Sequence, residues 1–164
     1  MSVPTPSGVR PTDFSAGRSF RYAGRLFTLL VTSAEAGGRW SVVEELAQRG
    51  TSLDLPLRVH TRETLCAYVL EGELTVEIGD EQRPLAAGRC AAIPPGLPHR
   101  FVVHSDTARL ITVYAPGGFD GFLRDVGEPA GSSAPWPSAA DTPLDVERLV
   151  TVGARYGVEI VAAA

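Results

Sequence analysis

From residue 18 to about residue 115, short apolar-rich runs alternate with glycine- and proline-bearing turns. The clearest run is Glu73-Leu74-Thr75-Val76-Glu77-Ile78, whose strict alternation puts Leu74, Val76 and Ile78 on one face of a strand. The same pattern predicts strands at 26–31, 40–47, 57–60, 66–71, 90–93, 100–103 and 110–114. Turn chemistry separates them at Gly37-Gly38, Gly50, Gly72, Gly79-Asp80, Gly88 and Pro94-Pro95-Gly96. Many short strands with no helices between them indicate an all-β sandwich or barrel. In the run 40–47, Trp40, Val42, Glu44 and Leu46 share one face, an apolar face that would draw Glu44 inward.

The last third changes period. Residues 118–126 predict a short helix with Phe119, Phe122 and Leu123 on one side, followed by a Pro/Ser/Ala-rich connector at 129–143. Residues 144–156 read as an amphipathic helix with Leu144, Val146, Leu149 and Val150 as its apolar positions, and 158–161 as a final strand. The Pro-, Ser- and Gly-rich opening, 1–17, reads as an extended arm, leaving 18–164 as a single domain that includes the helical tail.

Composition removes several functions. The 164-residue chain carries a formal charge of −4, and its arginines are scattered, which argues against nucleic-acid and anionic-membrane partners. No apolar run is long enough to cross a bilayer and the N-terminus lacks a secretory pattern, so cytoplasmic residence is the default expectation. The chain has no lysine and no asparagine, as a GC-rich genome would give; no lysine is available for Schiff-base chemistry. Two cysteines, Cys66 and Cys90, make no disulfide framework and no zinc spacing, and are expected to be small core fillers.

Two motif frames carry the chemistry. The first is Arg58-Val59-His60-Thr61-Arg62-Glu63-Thr64-Leu65, closed by Gly72; the second is Gly88, Pro94, Gly96 and His99 in the spacing G-x5-P-x-G-x2-H. These frames, with Tyr68-Val69-Leu70-Glu71-Gly72-Glu73-Leu74 and the loop 94–101, resemble the two motifs of the cupin superfamily. The stretches 115–119 and 155–160 are similar to a quercetin-dioxygenase-like branch of single-domain cupins. The resemblance implies a cupin-type antiparallel β-barrel of jelly-roll form with short C-terminal helices, a site in the barrel mouth, and a homodimer.

In metal-binding cupins the motifs bring three histidines and one glutamate to one transition-metal ion. His60 matches the second histidine and His99 the third, whereas Arg58 and Leu65 stand in the other two ligand slots. Leucine offers no lone pair, and a guanidinium has no acceptor and repels a divalent cation. No cofactor is therefore favoured; the alternative is a single divalent transition-metal ion on His60, His99 and Glu63. Alternation places Arg58 and His60 on one inward face, with His99 opposite, Leu65 and Phe101 as apolar walls, and Glu44 as a pocket residue and a partner for Arg58.

One cation beside two imidazoles suits a small anionic or enolisable molecule. Arg58 would stabilise negative charge, and His60 or His99 would move a proton. Three readings follow: a metal-independent isomerase, cyclase or lyase in specialised metabolism; a metal-dependent dioxygenase with a substituted ligand set; and a non-catalytic metabolite-binding cupin. His104, beside Ser105-Asp106, is expected to be a solvated loop residue, and Trp136 to cover the barrel or a partner subunit.

Overall fold

The computed structural model describes residues 17–50, 57–131 and 144–161. Residues 1–16 of the arm, most of the connector and Trp136 lie outside the described residues.

The strands run in chain order β1 (Ser19–Tyr22), β2 (Arg25–Val31), β3 (Ser41–Gln48), β4 (Leu57–His60), β5 (Thr64–Glu71), β6 (Glu73–Ile78), β7 (Glu81–Ala86), β8 (Cys90–Ile93), β9 (His99–Val103) and β10 (Thr107–Ala115). Helix α1 (Phe119–Val126), β11 (Glu128–Ala130), α2 (Val146–Tyr156) and β12 (Val158–Val161) follow. The strands form two antiparallel sheets, ordered β11-β1-β2-β3-β10-β5-β8 and β12-β4-β9-β6-β7, the jelly-roll form that the resemblance implies. One apolar core runs between them, drawing Leu65, Ala67 and Val69 from β5, Leu74 and Val76 from β6, Phe101 and Val103 from β9, and Leu110 from β10.

Three strands were not expected. β7 is polar and contains Pro84, which a sheet accepts only where no ladder hydrogen bond is required; it is the edge of the five-stranded sheet and five of its six residues are exposed. β1 and β11 are short and pair with each other at the far edge of the larger sheet.

The face assignment in β3 is corrected. Ser41, Val43, Glu45 and Ala47 are buried, and Glu44 lies on the outer side. Glu45 enters the core because Arg25 of β2 meets it there in a buried ion pair, and Arg25 Nη2 also donates to the Phe101 carbonyl at 3.1 Å. A charged side chain is drawn inward by its partner, and the apolar content of the face does not decide the register.

The helices pack on one another at one side of the barrel. α1 buries Phe119, Phe122 and Leu123, and its buried Asp120 accepts from the Ser33 amide at 3.1 Å. In α2, Asp145 caps the N-terminus by accepting from the Arg148 amide at 2.9 Å, and Gly157 ends the helix at φ 71. The buried face of α2 is Leu149, Val152 and Gly153; Val146 and Val150 are half exposed, contrary to the expected stripe. Gly72 is required by its surroundings: at φ 95, an added Cβ would lie 2.5 Å from the Thr107 carbonyl oxygen.

Candidate active site

Strands β4 and β9 are neighbours, with Arg58 and His99 as direct cross-strand partners. Arg58 keeps 8% of its surface, His60 1% and His99 none, so all three side chains point into the barrel as expected. The chain turns after His60, and this turn returns Glu63, itself 1% exposed, to the same interior. Leu65 and Phe101 are core residues; the Phe101 ring meets His99 edge-on at 6.2 Å. Glu44 does not join them. It pairs with Arg109 of β10 across the outer face, Nε to Oε1 at 2.6 Å, because β3 turns the other set of residues inward.

Hydrogen bonds fix both imidazoles. His99 Nδ1 lies 2.9 Å from the Leu97 carbonyl oxygen, which can only accept, so Nδ1 carries the proton. His60 Nδ1 lies 3.3 Å from Glu63 Oε2 and donates to that carboxylate. In both rings the lone pair is thereby left on Nε2, and among the described residues both buried Nε2 atoms, like Arg58 Nε, have no hydrogen-bond partner. The two rings stack at 5.5 Å.

Burial and charge make both bases weak. Desolvation lowers the His60 pKa, the Glu63 hydrogen bond opposes this, and the Arg58 charge adds to the lowering. Desolvation, then Arg58, takes His99 down to about 3. His60 is the imidazole whose charged form has a carboxylate in contact. Among the described residues Arg58 has no carboxylate within ion-pair distance.

Aromatic side chains close this interior. Phe119 of α1 meets His60 edge-on at 4.9 Å and stacks on Tyr114 at 4.4 Å, and Tyr114 lies 5.7 Å from His60. Burial raises the Tyr114 phenol well above its usual range, so it is a neutral hydroxyl. Burial raises Tyr22 as well, with Arg58 and Arg25 opposing. Tyr114, Tyr22, Arg25 and Glu45 were missed as site neighbours. Tyr114 was available from alternation, because it shares an inward face with Leu110 and Thr112 on a strand already recognised.

The donor set does not fit the single-ion cage of metal-binding cupins. Glu63 is committed to Nδ1 of His60, Leu65 is apolar, and the Arg58 charge acts on both imidazoles. Among the described residues no group of three or more His, Cys, Asp or Glu side chains is arranged so that it could hold a metal ion.

Comparison with known proteins agrees with the fold. The cupin-domain family model matches residues 43–114, which span β3 to β10 and hold both motif frames. The comparisons support a small protein of the cupin superfamily. The chain is 25% identical over 125 residues to quercetin 2,3-dioxygenase of Bacillus subtilis (strain 168), a match that takes in 76% of this chain and 36% of that relative's length. Its structure is similar to ectoine synthase from P. lautus, with a TM-score of 0.57, 18% identity, and 77% and 87% of the two chains covered. It is similar also to an RmlC-like cupin from Shewanella frigidimarina NCIMB 400, with a TM-score of 0.53, 23% identity, and 67% and 96% covered. At these identities the structural likeness concerns the fold.

The expected exposure of His104 holds: it lies in the loop after β9, its Nε2 2.7 Å from Thr75 Oγ1. The cysteine expectation does not. Cys66 and Cys90 are both exposed, because β5 and β8 turn them to the outer face of the larger sheet. Among the described residues no helix is long and apolar enough to cross a membrane.

Proposed function

We propose that this cupin is a small-molecule enzyme that moves protons on an anionic or enolisable substrate without a metal ion, in the manner of an isomerase, cyclase or lyase. The observation that carries this reading is the arrangement of the two imidazoles. Each has its Nδ1–H engaged by an acceptor and its Nε2 lone pair free, beside a guanidinium that no described carboxylate neutralises.

His60 is the base in this scheme. It takes a substrate proton on Nε2, and Glu63, in contact with Nδ1, stabilises the imidazolium that forms. Arg58 stabilises the enolate or carboxylate oxygen on which negative charge grows. His99, held neutral at pH 7 by burial and by Arg58, accepts a hydrogen bond from the substrate. Tyr114 supplies a neutral hydroxyl on the same side of the barrel.

A test that does not depend on the natural substrate is proton exchange. Purified protein is incubated in D2O with a panel of small keto acids, and C–H exchange alpha to the carbonyl is followed by NMR. Elemental analysis and a chelator-treated control run in parallel. The reading expects exchange that survives chelation and is lost in His60→Gln; loss of exchange on chelation, with restoration by added metal, refutes it. The match to quercetin 2,3-dioxygenase supports a second reading, a metal-dependent dioxygenase drawing on His60, His99 and Glu63, and the same chelator control decides between the two. Binding of a panel member with no exchange at all would favour a metabolite-binding cupin.

A further inference from the structure

The two cysteines face away from the barrel interior and take no part in the chemistry above. In the ladder between β5 and β8, Cys66 is partnered with Ala92 and Tyr68 with Cys90. Cys66 and Cys90 therefore occupy diagonal positions on one face of adjacent strands. Their ladder neighbours Leu65, Ala67 and Ile93 point into the core, so the cysteine face is the outer one, and both thiols are exposed. Burial, and then the neighbouring Cys90 thiol, raise the Cys66 pKa, in keeping with two side chains that stand next to each other on this face. Among the described residues β8 is the last strand of its sheet and pairs with β5 alone.

Two neighbouring thiols can close a disulfide or share one thiophilic centre, and strand geometry separates these outcomes. Diagonal neighbours in an antiparallel pair have Cα atoms roughly 7–8 Å apart. Disulfides span about 4.4–6.8 Å between Cα atoms. A direct sulfur–sulfur bond thus requires the strands to shift, whereas an ion placed between the sulfurs bridges the longer gap without movement. Zinc is a poor candidate, since a structural zinc site takes four ligands and no third His, Cys, Asp or Glu joins this pair among the described residues. Soft thiolate donors select monovalent copper, which is satisfied by two of them.

We propose that Cys66 and Cys90 form a two-thiolate site on the outer face of the seven-stranded sheet that takes one Cu(I) ion. Binding releases one proton from each thiol to solvent and forms two copper–sulfur bonds, and copper remains monovalent throughout. The site stands apart from the His60–His99 interior, so its occupancy is independent of the proposed reaction.

The test is an anaerobic titration of the full, reduced chain with Cu(I) against the chromogenic chelator bicinchoninate. One copper per chain is expected to leave the chelator for the protein. Cys66→Ser and Cys90→Ser are each expected to weaken uptake by more than about 100-fold, since loss of a direct ligand exceeds the effect of losing an outer-shell partner. Both positions are exposed, and thermal melting of the serine variants verifies that they remain folded. His60→Gln is expected to leave uptake unchanged. The proposal is overturned if the reduced wild-type chain takes up no copper, or if the double serine variant takes it up as the wild type does. It is overturned also if copper exposure only produces a Cys66–Cys90 disulfide, seen as the loss of two hydrogens in the intact mass.

Discussion

Acidification is expected to destabilise the protein through His99 before its carboxylates protonate. In the folded chain burial and Arg58 hold the His99 pKa at about 3. In the unfolded chain it returns to about 6.5. Above the unfolded value the ring is neutral in both states and its contribution to stability is complete. As pH falls below that value the unfolded chain binds a proton that the folded chain refuses, and stability is lost until the pH reaches the folded pKa. At about pH 5 the difference amounts to about 2 kcal/mol from His99 alone. That loss lowers the melting temperature by roughly 4–8 °C for a domain of this size. His60 is shifted in the same direction and adds to the slope. The assay is urea denaturation at about pH 7.5 and about pH 5, where ordinary carboxylates are still mostly ionised, in wild type and in His99→Asn. Asparagine retains a donor for the Leu97 carbonyl and cannot titrate. The variant should lose about 2 kcal/mol less than wild type between the two pH values. Equal losses in the two proteins would refute the assignment of His99 as a buried neutral imidazole.

Three further outcomes follow from the packing. Glu45→Ala strands the Arg25 guanidinium in the core and should cost about 3–5 kcal/mol in chemical denaturation, while Arg25→Met combined with Glu45→Leu should recover most of it. Gly72→Ala meets the Thr107 carbonyl and a left-handed backbone, so a loss of more than about 1 kcal/mol is expected by the same measurement. Arg109→Ala breaks the half-exposed pair with Glu44 and should change stability by less than about 1 kcal/mol, because solvent screens that contact.

Most of the barrel was legible because its strands carry their own periodicity. β4, β6, β8 and β12 fall where alternation and turn glycines put them. β7 was missed because an edge strand needs little apolar content, and its Pro84 reads as a breaker until the edge position is known. The interior site was legible in part. Arg58, His60 and His99 were placed by motif spacing and strand parity, which are local properties. Glu44 was misplaced, and its neighbour Glu45 overlooked, because β3 reads as V-V-E-E and both faces carry the same mixture. The deciding contact is with Arg25, which lies in another strand, and no window of sequence contains it. The cysteines were misread for a related reason: small apolar-like residues look like filler, and only the parity of the strands carrying them shows which side they face.

The cross-strand pairing of Arg58 with His99 has an evolutionary consequence. Main-chain ladders, not the loops or the side chains themselves, hold the two motif positions at a constant spacing. An ancestral barrel could therefore trade one reactive group for another at either address while keeping the frame that aims them. Descendants would inherit a socket more durable than any particular chemistry plugged into it.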